Sequence, residues 1–206
     1  MPNVYCLSRR SYNGTRLLRA DGNGEPVRLP HMSMANLHHT LDIVSCRVQI
    51  NRACVDSDLA LCRWLGEDEL QELMLRSGIR PDAYFQLARS TPEGEKRSAF
   101  FLEVERSDKS ERALRDKFRR YGLFYYGGQF EELFGSRALR VLVLVAASHG
   151  IRPERRIERL VWLAEQADVT ILRFAPLAIF LGTSPQDVLT ANIWRRPGQT
   201  GLSALF

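Results

Sequence analysis

The chain has 206 residues, 45% of them hydrophobic and 26% charged. That is ordinary globular composition, able to bury roughly 70% of its surface, and it excludes a disordered, collagen-like or coiled-coil chain. With 29 Lys and Arg against 24 Asp and Glu the net charge is +5, which suits a polyanionic partner, nucleic acid first. The longest apolar run, Val141 to Ala147, is too short to cross a bilayer, and MPNVYCLSRR lacks the apolar core of a secretory signal. The expected location is the cytoplasm, with no membrane partner. Cys6, Cys46, Cys54 and Cys62 show no paired-ligand spacing, so they read as reduced, packed thiols rather than a zinc site.

In chain order, residues 3–7 and 15–19 read as two short strands joined at Asn13-Gly14. Residues 20–31 carry two prolines and several turn formers, which places a boundary there. The expected division is a wing-like hairpin and linker over 1–31 and a main domain over 32–206. Next comes a helix over about 34–54, with Leu37, Leu41, Val44 and Val48 as its apolar stripe. Residues 58–65 read as a strand, and Glu67 to Leu75 as a short helix ended by Gly78. Residues 83–89 form a strand, TPEGEK (91–96) a loop, and Ser98 to Arg106 a second strand.

A long helix is predicted over 108–126, with Leu114, Phe118, Tyr121 and Tyr125 inward and Gly127-Gly128 as its stop. Residues 140–146 are apolar throughout, as in a strand covered on both faces. Pro153 opens a helix over about 152–167 with Ile157, Leu160, Val161 and Ala164 inward. A last strand is expected at 169–174, and the tail holds a further strand and a helix near Ser184 to Leu189. The fold class is therefore α/β, a mixed sheet flanked by helices in the order helix, three strands, helix, strand, helix, strand.

Asp82, Glu103 and Glu105 carry the functional reading. Alternation puts Asp82, Tyr84 and Gln86 on one strand face, and Phe101, Glu103 and Glu105 on the matching face of the next strand. A hairpin pairing Arg89 with Ser98 sets Asp82 opposite Glu105 and Tyr84 opposite Glu103. Three carboxylates so placed repel, and a divalent cation resolves the conflict. Oxygen ligands point to Mg²⁺ or Mn²⁺, which would assist phosphodiester cleavage. The alternative is a solvated acidic strand edge beside Arg80, Arg89 and Arg106. The following segment carries Arg106, Lys109, Arg112, Arg115, Lys117, Arg119 and Arg120 against Asp108, Glu111 and Asp116, groups suited to flanking phosphates. Lys117 either leans toward the acidic trio or stays on a solvated face.

Asp82, Glu103-Val104-Glu105 and Lys117-x-x-x-Tyr121 resemble the replication-relaxation family, which includes the mobilisation class C plasmid relaxases. RPDAYFQL and SAFFLEVERSDKSERALRDKFRRYGLFY carry the resemblance, with RVLVLVA and NIWRRP in support. It implies a restriction-endonuclease-like core of the PD-(D/E)XK kind and a metal-dependent DNA-nicking or DNA-cleaving activity. The DNA would be plasmid or mobile-element DNA, with transfer or replication proteins as further partners. Asp82, Glu103, Glu105 and the Val104 carbonyl are then metal ligands, and Asp82, Glu103, Glu105 and Lys117 the catalytic set. Glu105 stands where many such nucleases carry lysine, an E-x-E variant. Only NVYCLSRRSYNGTRLL remains of the family's winged helix, so a non-catalytic DNA-binding accessory protein of plasmid replication or transfer is the alternative.

Other residues read more plainly. His38 and His39 are adjacent on a helix and diverge, unlike the His-hydrophobe-His ligands of the other large relaxase class. His39 or Asp42 either faces the site or lies at the core edge. Tyr121, Tyr125 and Tyr126 sit where core aromatics are expected. Trp194 with Arg195 and Arg196 reads as a core anchor or a single-strand clamp. Arg152, Arg155, Arg156 and Arg159 alternate with Glu154 and Glu158, as on a solvated helix face.

Overall fold

The computed structural model describes residues 34–55, 57–106, 109–147 and 152–206. The hairpin and linker expected over 1–31 lie outside the described residues. From Met34 the elements are α1 (Met34–Val55), β1 (Leu59–Gly66), α2 (Glu67–Leu73), β2 (Ala83–Thr91), β3 (Gly94–Glu105) and α3 (Glu111–Tyr126). They continue with α4 (Gln129–Phe134), β4 (Leu139–Val145), α5 (Pro153–Gln166), β5 (Leu172–Pro176) and α6 (Leu177–Gly182). The strands form one open mixed sheet in the order β1-β2-β3-β4-β5. β2 runs antiparallel to both β1 and β3, and β4 and β5 join in parallel through helical crossovers.

Alternation along the strands builds two apolar layers. Tyr84, Phe101, Val141, Val143 and Phe174 pack with Leu114 and Phe118 of α3 and with Ile157 and Leu160 of α5. Phe85, Phe100, Leu102, Leu142 and Leu144 pack with Cys46 and Ile50 of α1, Phe180 of α6, and Trp194. Phe101 is fully buried, with the rings of Tyr121, Phe124, Phe130 and Phe134 around it, which seats α3 and α4 on β3.

Local expectations are corrected at several points. The turn between β2 and β3 is Pro92-Glu93 alone, with Thr91 opposite Gly94, so Arg89 pairs with Lys96 and Tyr84 with Phe101. The register is two residues from the expected one because Gly94, Glu95 and Lys96 extend the strand as an exposed ribbon. On α1 the expected stripe is not the buried face: Val44 and Val48 are each 51% exposed, whereas Cys46, Gln49, Ile50 and Ala53 are buried. Gln49 fixes that face by donating to the Thr183 carbonyl at 2.6 Å.

The long helix starts at Glu111, where the Ser110 hydroxyl accepts from Ala113 N–H. It stops at Gly127, where a Cβ would come 2.5 Å from the Leu123 carbonyl oxygen, and Gly128 at φ 81° lets α4 begin. The last strand starts at Leu172 rather than Val169, and the tail helix follows Pro176 at Leu177–Gly182, whereas Ser184 to Leu189 forms turns. The expected tail strand reduces to isolated bridges, Phe174 with Arg195 and Trp194 with Ser203. Among the described cysteines, Cys46, Cys54 and Cys62 are free thiols.

Candidate functional site

β2 begins only at Ala83, opposite Leu102, while β3 runs on to Glu105 beside β4. Asp82 fills the vacated edge. Its N–H donates to the Leu102 carbonyl at 3.0 Å, and its Oδ2 accepts the Val104 N–H at 2.7 Å. The carboxylate thus continues the ladder that the backbone has left. A residue's N–H and C=O leave a strand on the same edge, so the Val104 carbonyl also points to this side. Oδ1 of Asp82 meets Nε2 of His39, from α1, at 3.1 Å.

Glu103 and Glu105 leave β3 on the α3 face, and each is only 4% exposed. Glu103 accepts from Lys117 Nζ at 2.6 Å and from the Tyr121 hydroxyl. Glu105 pairs with Lys109 at 3.2 Å and with Arg156 of α5 at 3.5 Å, and Lys117 stands 4.0 Å from it. Lys117 and Tyr121, four apart, share one face of α3, so a single helix turn serves both oxygens of Glu103.

Burial is the largest influence on Glu103 and raises its pKa. Lys117 works against that, and the nearby negative charge of Asp82 adds to it. Burial also raises Tyr121, reinforced by Glu103, so its phenol stays protonated and donates. Burial pulls Lys117 down, but Glu103, Glu105 and Asp82 outweigh it and leave the ammonium more firmly protonated than usual. The hydrogen bond to Asp82 raises His39, against partial opposition from burial.

Glu103 and Glu105 thus meet at Lys117, and Asp82 lies near enough for its charge to act on Glu103 and Lys117. His39 joins Asp82, and His38 diverges to the exposed side. Asp42 is near but bonded to Arg106. Arg156 corrects the solvated-face reading of α5: its side chain is 9% exposed and reaches Glu105. Its sequence position shows only that it precedes the buried Ile157. Tyr121 is the core aromatic expected, whereas Tyr125 and Tyr126 bond to the Arg137 carbonyl and to Thr170, away from the site. Trp194 is fully buried, which removes the single-strand clamp reading.

The basic residues divide between two flanks. Lys109, Lys117 and Arg120 line a cleft of about 570 Å³, whose other wall is Leu70, Met74 and Ile79. Arg120 also donates to the Gly78 carbonyl at 3.3 Å, tying α3 to that wall. Arg112 and Arg119 are exposed, seven apart on another stripe, with Arg115 half-buried between them.

Among the described residues no three His, Cys, Asp or Glu side chains form a ready metal cluster. The donor chemistry nonetheless suits a hard divalent cation: two buried glutamates, an aspartate and an edge carbonyl. Lys117 and Lys109 supply the positive charge that such an ion would bring. Comparison of the chain with protein-family models, curated proteins and solved structures finds no match.

Proposed function

We propose that the chain is a metal-dependent DNA-nicking or DNA-cleaving enzyme, a relaxase-like endonuclease with a restriction-endonuclease-like core, acting on plasmid or mobile-element DNA. The observation that carries this reading is Lys117 held between Glu103 and Glu105 at the carboxyl end of β3, with the charge of Asp82 acting on the same groups. The strand order, with antiparallel β1-β2-β3 followed by parallel β4 and β5, supports it, as does the likeness of Asp82, Glu103-x-Glu105 and Lys117-x-x-x-Tyr121 to the replication-relaxation family.

Asp82, Glu103, Glu105 and the Val104 carbonyl would hold Mg²⁺ or Mn²⁺, which supplies Lewis acidity toward a scissile phosphate and its attacking water. His39 and the Val104 N–H fix the orientation of Asp82, and Tyr121 fixes that of Glu103. Lys117 pairs with Glu103 and lines the cleft, where its ammonium would stabilise negative charge on the phosphate. Lys109 and Arg120 hold neighbouring phosphates along the same cleft.

The test is nicking of supercoiled plasmid with Mg²⁺ or Mn²⁺. Asp82→Asn and Glu103→Gln keep shape and remove charge, and each is expected to lower the rate by about 10²-fold or more. Undiminished nicking in both variants rejects the site. A second reading, a non-catalytic DNA-binding accessory protein, is favoured by one observation: all six carboxylate oxygens already contact a protein group. Salt-dependent DNA binding with no cleavage under any divalent ion would select it.

A further inference from the structure

Across the sheet from Glu103, three arginines lie on neighbouring segments, β4, β5 and the stretch that bridges to β5. Arg140 leaves β4 on the α1 face, with its guanidinium 5.8 Å from the ring centres of both Phe100 and Phe206. Arg173 leaves β5 on the same face, beside Leu142, and is only 7% exposed. Its Nη1 donates to the carbonyls of Thr170 and Leu172, each at 2.8 Å. Arg196 follows the bridge between Arg195 and Phe174, and its Nε is buried without a hydrogen-bond partner among the described residues.

The three feel one another's charge. Burial lowers Arg173 to about 10, and Arg196 and Arg140 push it the same way. Burial and then Arg196 lower Arg140. Arg173 nonetheless stays charged at neutral pH. The ion pairs that arginines make among the described residues belong to Arg89, Arg97, Arg106, Arg137, Arg156 and Arg159, never to this trio. Clustered, partly desolvated like charges are costly unless an anion joins them. Guanidinium forks, with a buried Nε still free to donate, match the oxygens of a phosphate group better than a lone carboxylate does.

We propose that Arg140, Arg173 and Arg196 form a phosphate-binding site on the α1 face of the sheet, separate from the acidic site on the α3 face. The phosphate is either the free ion or the phosphate of a nucleotide, and binding does not require that the chain cut DNA. The test is calorimetric titration of the full chain with inorganic phosphate and with a deoxynucleoside 5′-monophosphate, the unphosphorylated nucleoside serving as control. Arg196→Gln and Arg140→Gln are compared with the exposed Lys96→Gln, each checked for folding by circular dichroism.

The expected result is saturable binding that weakens about tenfold or more in Arg196→Gln and Arg140→Gln and is unchanged in Lys96→Gln. Equal affinity for both probes identifies the free ion, whereas tighter binding of the monophosphate identifies a nucleotide. Either supports the site. Absence of saturable binding of both probes overturns it, as does binding that both arginine variants retain in full.

Discussion

Lys117→Met removes a charge and keeps most of the side-chain volume, so its main consequence falls on Glu103. That carboxylate is buried, and Lys117 is the main influence opposing the rise in its pKa. Without the ammonium, Glu103 either remains an unpaired buried anion, which typically costs about 3–5 kcal/mol, or takes up a proton. The proton sets the ceiling. Protonating a carboxyl of ordinary value near 4.3 costs about 3.7 kcal/mol at pH 7 and about 1 kcal/mol at pH 5. The sign follows from burial having raised Glu103. Between its ordinary and its raised value the folded state binds more protons than the unfolded chain, so stability falls as pH rises through that window. Removing Lys117 moves the upper edge of the window higher. The variant should therefore lose up to about 3.7 kcal/mol at pH 7 and at most about 1 kcal/mol at pH 5. Urea unfolding at the two pH values, with unchanged m, reads this directly. Adding Glu103→Gln to Lys117→Met should return most of the pH 7 loss, because no buried charge is then left alone. A loss equal at both pH values, or a double variant as unstable as the sum of its parts, refutes the reasoning.

Tyr121→Phe leaves one oxygen of buried Glu103 without its donor, so unfolding experiments at pH 7 should show a loss of about 1–3 kcal/mol. The paired variant Arg112→Gln with Arg119→Gln removes two exposed cations. Its DNA affinity, measured by fluorescence anisotropy against salt, should show a log–log slope smaller by about 1–2. Thiol labelling followed by peptide mapping should mark exposed Cys62 rapidly and Cys46 only on unfolding, because burial holds the Cys46 thiol far above its ordinary value.

The longer elements were legible in the sequence: α1, α3, α5 and all five strands lie close to their expected positions. The departures have separate physical causes. α1 carries apolar residues on two faces, and spacing cannot say which meets the sheet. Gln49 and its partner Thr183, 134 positions apart, belong to the choice, and no local pattern records such a contact. The six-residue α4 is too short to show a period, and α6 hides behind Pro176, which reads as a breaker but serves as the residue before the first turn. Glu95 and Lys96 look like loop because they are charged. They sit instead on a ribbon that projects past the apolar layers, where strand residues face water.

The site survived a register error because that error was even. A shift of two residues along β2 and β3 keeps every side chain on its face, so Glu103 and Glu105 stay with Tyr84 and Phe101 toward α3. A shift of one would have turned both glutamates toward Cys46 and Ile50 of the α1 layer, where no lysine of α3 could reach them. Both sheet faces are covered by helices and apolar in their centres, so hydrophobicity alone selects neither. The placement of Lys117 and Tyr121 one turn apart on the next helix makes the selection, because those two side chains can satisfy buried carboxylates on one face only. Asp82 was singled out by alternation with Tyr84, whereas in the structure it precedes the strand and takes the Val104 N–H in place of a missing backbone carbonyl. Arg156 had no such signal. It reaches Glu105 only because the crossover from β4 returns α5 to the same end of the sheet, a consequence of parallel topology rather than of any residue beside it in the chain.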